Sequence, residues 1–121
     1  MLHPNFVLLY VASPEASTQF YADILASKPI ETSPTFAMFA LQSGVMLGLW
    51  KKDGVLPAPL AGGGGSELAF ATENKTVVNN MYKNWVEKGL VIAQTPTQMD
   101  FGFTFVALDP DGHRLRVFAP S

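Results

Sequence analysis

An α+β fold made of two βαβββ modules is predicted for this 121-residue chain by three observations. The first is internal repetition. Gly44-Val45-Met46-Leu47-Gly48-Leu49-Trp50 lines up with Gly112 to Phe118 at an offset of 68, and Asn5 to Val11 lines up with Ser66 to Thr72 at an offset of 61. The second is that the offset of 61 also carries Ser13 onto Asn74 and Phe20-Tyr21 onto Met81-Tyr82, so helix starts and helix faces repeat along with the strands. The third is the stretch Asp109-Pro110-Asp111-Gly112, followed by alternating residues up to Phe118, which reads as a strand end, a tight reversal and another strand.

The elements follow in order. Residues 5–12 alternate and end in a turn signal, as a strand does. Ser13-Pro14-Glu15 starts a helix, with a hydroxyl cap, proline at the first helical position and an acid at the positive end of the dipole. Phe20, Tyr21, Ile24 and Leu25 recur at helical spacing, and Pro29 is expected to stop the element. Short strands are expected near 29–33, 36–42 and 45–50, the last two joined around Ser43-Gly44. Two prolines and four consecutive glycines mark 53–65 as a flexible link, which divides a single domain (1–121) into module 1 (about 1–52) and module 2 (about 66–121). In module 2, strand 66–72 leads to Asn74 as cap. Val77, Val78, Met81, Tyr82 and Trp85 form an apolar stripe, and Gly89 terminates the helix. Strands near 91–95, 102–109 and 113–119 complete the repeat, with the helices on one sheet face.

Composition excludes several classes of function. With 48% hydrophobic and 15% charged residues, the chain can bury a core and is not a disordered segment. A net charge of −2, with no basic run, leaves no electrostatic footprint for nucleic acid. The absence of cysteine rules out disulfides, thiolate nucleophiles and cysteine metal sites. No apolar run approaches the roughly 18 residues of a membrane span, and no export signal is read at the N-terminus, so a cytoplasmic protein is expected. Asn74-Lys75-Thr76 fits a glycosylation pattern but reads better as a helix cap. No hydrolase elbow is present, and Gly62 to Gly65 precede a strand rather than the helix a phosphate loop requires.

The duplicated βαβββ order with Asp109-Pro110-Asp111-Gly112 before the last strand resembles the vicinal-oxygen-chelate superfamily: glyoxalase I, bleomycin-resistance proteins, fosfomycin-resistance enzymes and extradiol dioxygenases. Small phenazine-resistance binding proteins are the most similar group. The shared features are an aromatic-rich third strand, Trp50 at a strand end, Asp100-Phe101-Gly102 with Thr104-Phe105, and the Asp-Pro-Asp-Gly-His turn with Arg116. Where that group tends to carry arginine two residues after the phenylalanine, this chain has Phe103. The resemblance implies mixed sheets cupped into a cleft, helices on the outer face, and paired modules, often from two subunits, closing the site.

In the enzymes of the superfamily, metal ligands lie on the first and fourth strands of each module. By alignment these places are Phe6, Gly48, Glu67 and Arg116. Only Glu67 can ligate a divalent ion, and Arg116 brings a permanent cation. No metal or other cofactor is therefore expected, and Glu67 and Arg116 are expected to form an ion pair unless Arg116 meets an anionic ligand. Alternation places Leu8 and Tyr10 beside Phe6, and gives Met46, Gly48 and Trp50, then Arg114, Arg116 and Phe118, as the cleft set. Phe36, Phe39, Phe101, Phe103 and Phe105 are the further candidate cleft aromatics. Two Trp, three Tyr and nine Phe are more rings than two short helices need for packing, which suits a planar ligand.

The candidate ligand-binding residues are thus Trp50, Arg116, Glu67, Phe6, Tyr10, Phe39, Phe101 and Phe103, with no catalytic residue assigned. Core packing is the competing explanation for each phenylalanine. Trp85 on the helical stripe is assigned to the core, and Tyr10 and Tyr21 have a structural role as their alternative. Asp109 and Asp111 belong to turn chemistry. The expected function is binding of a small aromatic drug by a homodimer that sequesters it without metal catalysis, with no nucleic-acid or membrane partner. The alternative is a metal-dependent lyase or ring-cleaving dioxygenase using Glu67 with His3 or His113.

Overall fold

A computed structural model describes residues 2–121, and the chain divides at the Gly63–Gly64 bond into two compact units. The first contains β1 (Phe6–Val11), α1 (Pro14–Leu25), β2 (Glu31–Thr32), β3 (Phe36–Ala40) and β4 (Met46–Lys51), followed by a 3-10 turn, Lys52–Gly54. The second contains β5 (Glu67–Ala71), α2 (Lys75–Glu87), β6 (Val91–Met99), β7 (Gly102–Leu108) and β8 (Arg114–Pro120). Each is a βαβββ module. The strand orders are β1-β4-β3-β2 and β5-β8-β7-β6, with the first strand parallel to the fourth and the other pairs antiparallel.

Both helices start as their sequences predict. Ser13 Oγ accepts the Ala16 amide at 3.2 Å with Pro14 at the first position, and Asn74 Oδ1 accepts the Val77 amide at 3.0 Å. The end of α1 differs from the expectation. Pro29 is not what stops it: Ala26 adopts a left-handed conformation (φ 49°, ψ 47°) and its amide donates to the Ala22 and Asp23 carbonyls. Capping of the last turn thus ends the helix before the proline is reached.

In each module one sheet face lies against the helix. Leu9, Val11, Ala37, Phe39, Leu47 and Leu49 form this face in module 1, joined by Tyr21 and Ser17 of α1. In module 2, Trp85 stands edge-on to Phe70 and Phe105, with ring centroids 5.5 Å away in both cases, and Val78 is also fully buried. Leu115, Val117, Ala107 and Ala119 are also buried.

Three boundaries depart from the sequence reading. β2 is only two residues long, and Val55, assigned to the flexible link, is buried. β6 continues past residue 95 to Met99. Its pairing with β7 shifts register between Ile92 and Gln94 and again between Gln94 and Thr97. An edge strand with such irregularities accommodates Pro96, which cannot donate a ladder bond.

The reversal before β8 works as its composition predicts. Asp109 Oδ1 accepts the amides of Asp111 and His113, both at 2.8 Å, and Gly112 takes the positive φ of 82° that the turn needs.

Ala26→Gly is expected to stabilise the protein by about 0.5–1 kcal/mol, because glycine adopts the left-handed cap without the Cβ clash. Urea unfolding measures this, and a lower midpoint for the variant would contradict the assignment of Ala26 as a strained cap.

Candidate binding site

The site residues follow from one geometric fact: side chains alternate across a strand, so those not facing the helix occupy an open face. In module 1, parallel and antiparallel register aligns Tyr10 with Trp50 and Trp50 with Phe36, giving a row of three rings across β1, β4 and β3. Tyr10 and Trp50 meet edge-on at 6.2 Å between centroids. The next row holds Leu8, Gly48 and Met38, and the third holds Phe6, Met46 and Ala40. Phe6 and Leu8 remain 47% and 45% exposed, which is high for side chains of this size.

Gly48 carries the row above it. A Cβ there would lie 2.6 Å from Leu8 Cδ2 and 3.0 Å from Phe36 Cζ, so these two side chains close directly over the backbone. The place aligned with a metal ligand is filled by hydrocarbon.

The open face of module 2 is polar. Arg116 of β8 donates from Nε to Glu67 Oε1 at 2.7 Å and from Nη2 to Glu67 Oε2 at 3.0 Å, a bidentate pair. Its Nη1 donates to Gln94 Oε1 and to Thr104 Oγ1, each at 3.2 Å. Thr104 is fully buried, and its hydroxyl donates in turn to the Val117 carbonyl at 2.8 Å. The Arg116 guanidinium carbon lies 5.7 Å from the centroid of Phe101, which stands edge-on to Phe118 at 6.0 Å. The Arg116 side chain is only 16% exposed, so it is a largely buried cation with four hydrogen bonds.

Arg114 is the second cation on this face. Its Nε lies 3.1 Å from Glu67 Oε2, within ion-pair distance, yet this nitrogen makes no hydrogen bond because the N–H is not aimed at the oxygen. The contact is therefore Coulombic only. The Arg116 hydrogen bond, then the charges of Arg116 and Arg114, hold the Glu67 carboxyl below the usual glutamate range against an opposing effect of desolvation.

The structure thus brings Phe6, Tyr10 and Trp50 onto the open face of module 1, and Glu67, Arg116 and Phe101 onto that of module 2. Two candidates are corrected. Phe39 pairs with Leu47 on the helix side and has no exposed surface, so it belongs to the core. Phe103 pairs with Ala119, on the same face as Phe105 and Val117, and Lys75 of α2 sits 5.3 Å from its ring centroid. Phe105 is fully buried against Trp85 for the same reason of parity. Gln94 and Thr104 are site residues that sequence reasoning missed. The signal for Thr104 was the hairpin register: the Asp109–His113 turn sets Leu108 opposite Arg114, hence Val106 opposite Arg116 and Thr104 opposite Phe118. No comparable signal marked Gln94, because two register shifts surround it.

The model of the Glyoxalase/Bleomycin resistance protein/Dioxygenase superfamily matches residues 3–117. The chain belongs to this superfamily. Among curated proteins it is similar to the phenazine antibiotic resistance protein EhpR of Enterobacter agglomerans, with 28% identity over 119 residues, covering 94% of this chain and 89% of that protein. A protein of Agrobacterium tumefaciens solved by solution NMR shares 49% identity with a TM-score of 0.92, covering 100% of this chain and 99% of that one. A glyoxalase-related enzyme from Fulvimarina pelagi superposes with a TM-score of 0.86 at 19% identity, over 98% of this chain and 88% of that one, a likeness of fold alone.

The metal that the superfamily's enzymes use does not fit these residues. Phe6 and Gly48 offer no donor, Arg116 is a cation, and both oxygens of Glu67 already accept from Arg116. Among the described residues no group of three or more His, Asp or Glu side chains is arranged to hold an ion, so neither His3 nor His113 joins Glu67 in such a group. Among the same residues no helix is long and apolar enough to cross a membrane.

Arg116→Met is expected to raise the Glu67 carboxyl pKa toward the ordinary value, leaving only the Arg114 charge to depress it. Because the folded-state value is the lowered one, the pair stabilises the protein above the unfolded glutamate pKa. That contribution is lost as pH falls through the folded value. Carbon-13 NMR titration of Glu67 in both proteins reads this, and identical midpoints would refute the coupling.

Proposed function

We propose that this chain is a binding protein for a small planar aromatic compound, of the phenazine or bleomycin class of antibiotic, and that it protects by sequestration without metal catalysis. One observation carries the reading: Tyr10, Trp50 and Phe36 form a cross-strand row on the open face of module 1, above a floor of Leu8 and Gly48 that has no metal donor. Flat rings stack on such a row, each pairing adding about 0.5–1.5 kcal/mol beyond the area buried. On this reading Phe6, Tyr10 and Trp50, with Phe36 added, are the binding residues of the open face of module 1, and Glu67, Phe101 and Arg116 are those of the open face of module 2. Similarity to a phenazine resistance protein favours the same ligand class.

The role of Arg116 is structural and polar rather than catalytic. Its guanidinium is held flat by Glu67, Gln94 and Thr104, so it lends the face a fixed positive edge without a movable proton. The working form is a cytoplasmic homodimer, in which a second copy reduces the exposure of Phe6 and Leu8.

Tryptophan-fluorescence titration against phenazines and other planar drugs tests the proposal. Saturable quenching is expected in the wild type, reduced at least about tenfold in affinity by Trp50→Ala, a loss comparable to that of a stacked ring plus its buried area. Quenching that is absent, or insensitive to Trp50→Ala, would remove the reading. Prior dialysis against EDTA is expected to leave the titration unchanged, whereas loss of binding restored by a divalent metal would point to an enzyme.

A further inference from the structure

On the helix side of the module 1 sheet, the first two turns of α1 and the chain leaving β2 border a groove of about 430 Å³. Pro14, Glu15, Thr18 and Gln19 form the α1 wall, and Thr32, Ser33 and Pro34 form the other. Thr32 pairs with Ala37, which is buried on the helix-facing side, so the groove lies on the opposite side of the sheet from Tyr10, Trp50 and Phe36. Each wall is held by its own chemistry. The Ser13 cap and Pro14 fix the start of α1, while Ser33 Oγ accepts the Thr35 and Phe36 amides at 3.3 and 3.1 Å and pins the turn. Among the described residues, the side chains of Glu15, Thr18, Gln19 and Thr32 make no hydrogen bond or ion pair with the protein. Four polar side chains without protein partners therefore line one groove, together with two rigid pyrrolidine rings.

We infer that this groove is a second binding site, separate from the aromatic face, and that its ligand is a primary aliphatic ammonium. Charge argues against an anion. Glu15 is the only ionised residue of the lining, Pro14 has no N–H, and the Ala16 amide is already given to Ser13. Ligand count argues against a metal ion. A divalent cation needs several carboxylate or imidazole ligands, and no such group of three occurs among the described residues. An ammonium carries three N–H donors, and the groove offers the Glu15 carboxylate, the Gln19 carbonyl and two threonine hydroxyls as acceptors. The methylene stem behind it finds apolar surface on the Pro14 and Pro34 rings, as a lysine stem does elsewhere. The volume suits a small molecule rather than a lone ion, since ligand sites begin at about 300 Å³. A neutral alcohol shares the stem but has one donor and leaves the carboxylate uncompensated.

The probes are n-butylamine hydrochloride, 1-butanol and sodium butyrate, which differ in head group. Each is titrated at constant ionic strength and neutral pH into the nitrogen-15-labelled full chain, so that amide shifts report both place and affinity. The amine is expected to give saturable shifts at the amides of residues 15–19 and 32–35, and the alcohol and the carboxylate none that saturate at the same concentrations. Glu15→Gln is expected to weaken the amine about fivefold, the upper range for one exposed ion pair. Thr32→Val, which keeps the shape and removes the hydroxyl, is expected to weaken it about threefold. Glu31 pairs with Met38 and so sits on the other side of β2 from Thr32; Glu31→Gln is expected to leave the affinity unchanged. Absent shifts, shifts centred elsewhere, an equal response to 1-butanol, or equal losses in Glu31→Gln and Glu15→Gln would each overturn the inference, the last by showing only diffuse attraction to an acidic surface. Should Glu15→Gln fail to fold, Thr32→Val and Gln19→Leu carry the test, and full affinity in both overturns it equally.

Discussion

Each module has four strands but a single helix, so only one face of its sheet is covered by its own helix. Everything else in the molecule follows from that constraint. The covered face takes the large interlocking residues, with Trp85 edge-on to Phe70 and Phe105 in one module and Tyr21, Leu9, Val11, Leu47 and Leu49 all buried in the other. The open face is then free of packing duty, and its residues are set by whatever it meets. In module 1 that face is hydrocarbon and rings, and in module 2 it is charge and hydrogen bonds. The two modules therefore share element and strand order while their open faces differ in chemistry.

Arg116 shows what it takes to put a cation where the superfamily's enzymes place a ligand for one. A guanidinium with 16% exposure loses most of its hydration and persists only if its donors are met. Glu67 supplies the opposite charge in a bidentate pair, and Gln94 and Thr104 take Nη1. Thr104 is committed in turn to the Val117 carbonyl, which ties the network to the β7–β8 ladder. Such a network is rigid because each member has little freedom to turn without leaving another unpaired. In module 1 the aligned place is resolved by the opposite means: Gly48 contributes no side chain at all, and Leu8 and Phe36 cover it. One superfamily position is closed by charge neutralisation and the other by apolar packing.

Much of this was legible in the chain itself. The two offsets gave the duplicated order of elements, and Ser13-Pro14 and Asn74 marked the helix starts because capping is local chemistry between neighbours. The Glu67–Arg116 pairing was legible too, since two residues aligned with one ancestral site must lie close together. Sequence reasoning failed where local rules meet tertiary ones. Phe39 and Phe103 look like site aromatics by type, but a shift of one residue along a strand reverses the face, and their hairpin partners Leu47 and Ala119 put them behind the sheet. The full length of β6 was not legible locally, because whether a strand continues through Pro96 depends on its lying at a sheet edge, where register shifts accommodate the proline.

By itself, then, the sequence determined the modular order, the helix caps and the Asp109 turn, because each depends on residue identity and short spacing. Only the tertiary structure decided which rings share a face, that Gln94 and Thr104 complete the hold on Arg116, and that the Nε of Arg114 is left without a hydrogen bond. Those facts depend on strand register and on the direction of individual N–H groups. Outside the tight β7–β8 hairpin, register is fixed by pairing between residues far apart in the chain, as Glu67 and Arg114 are, and no local pattern encodes it.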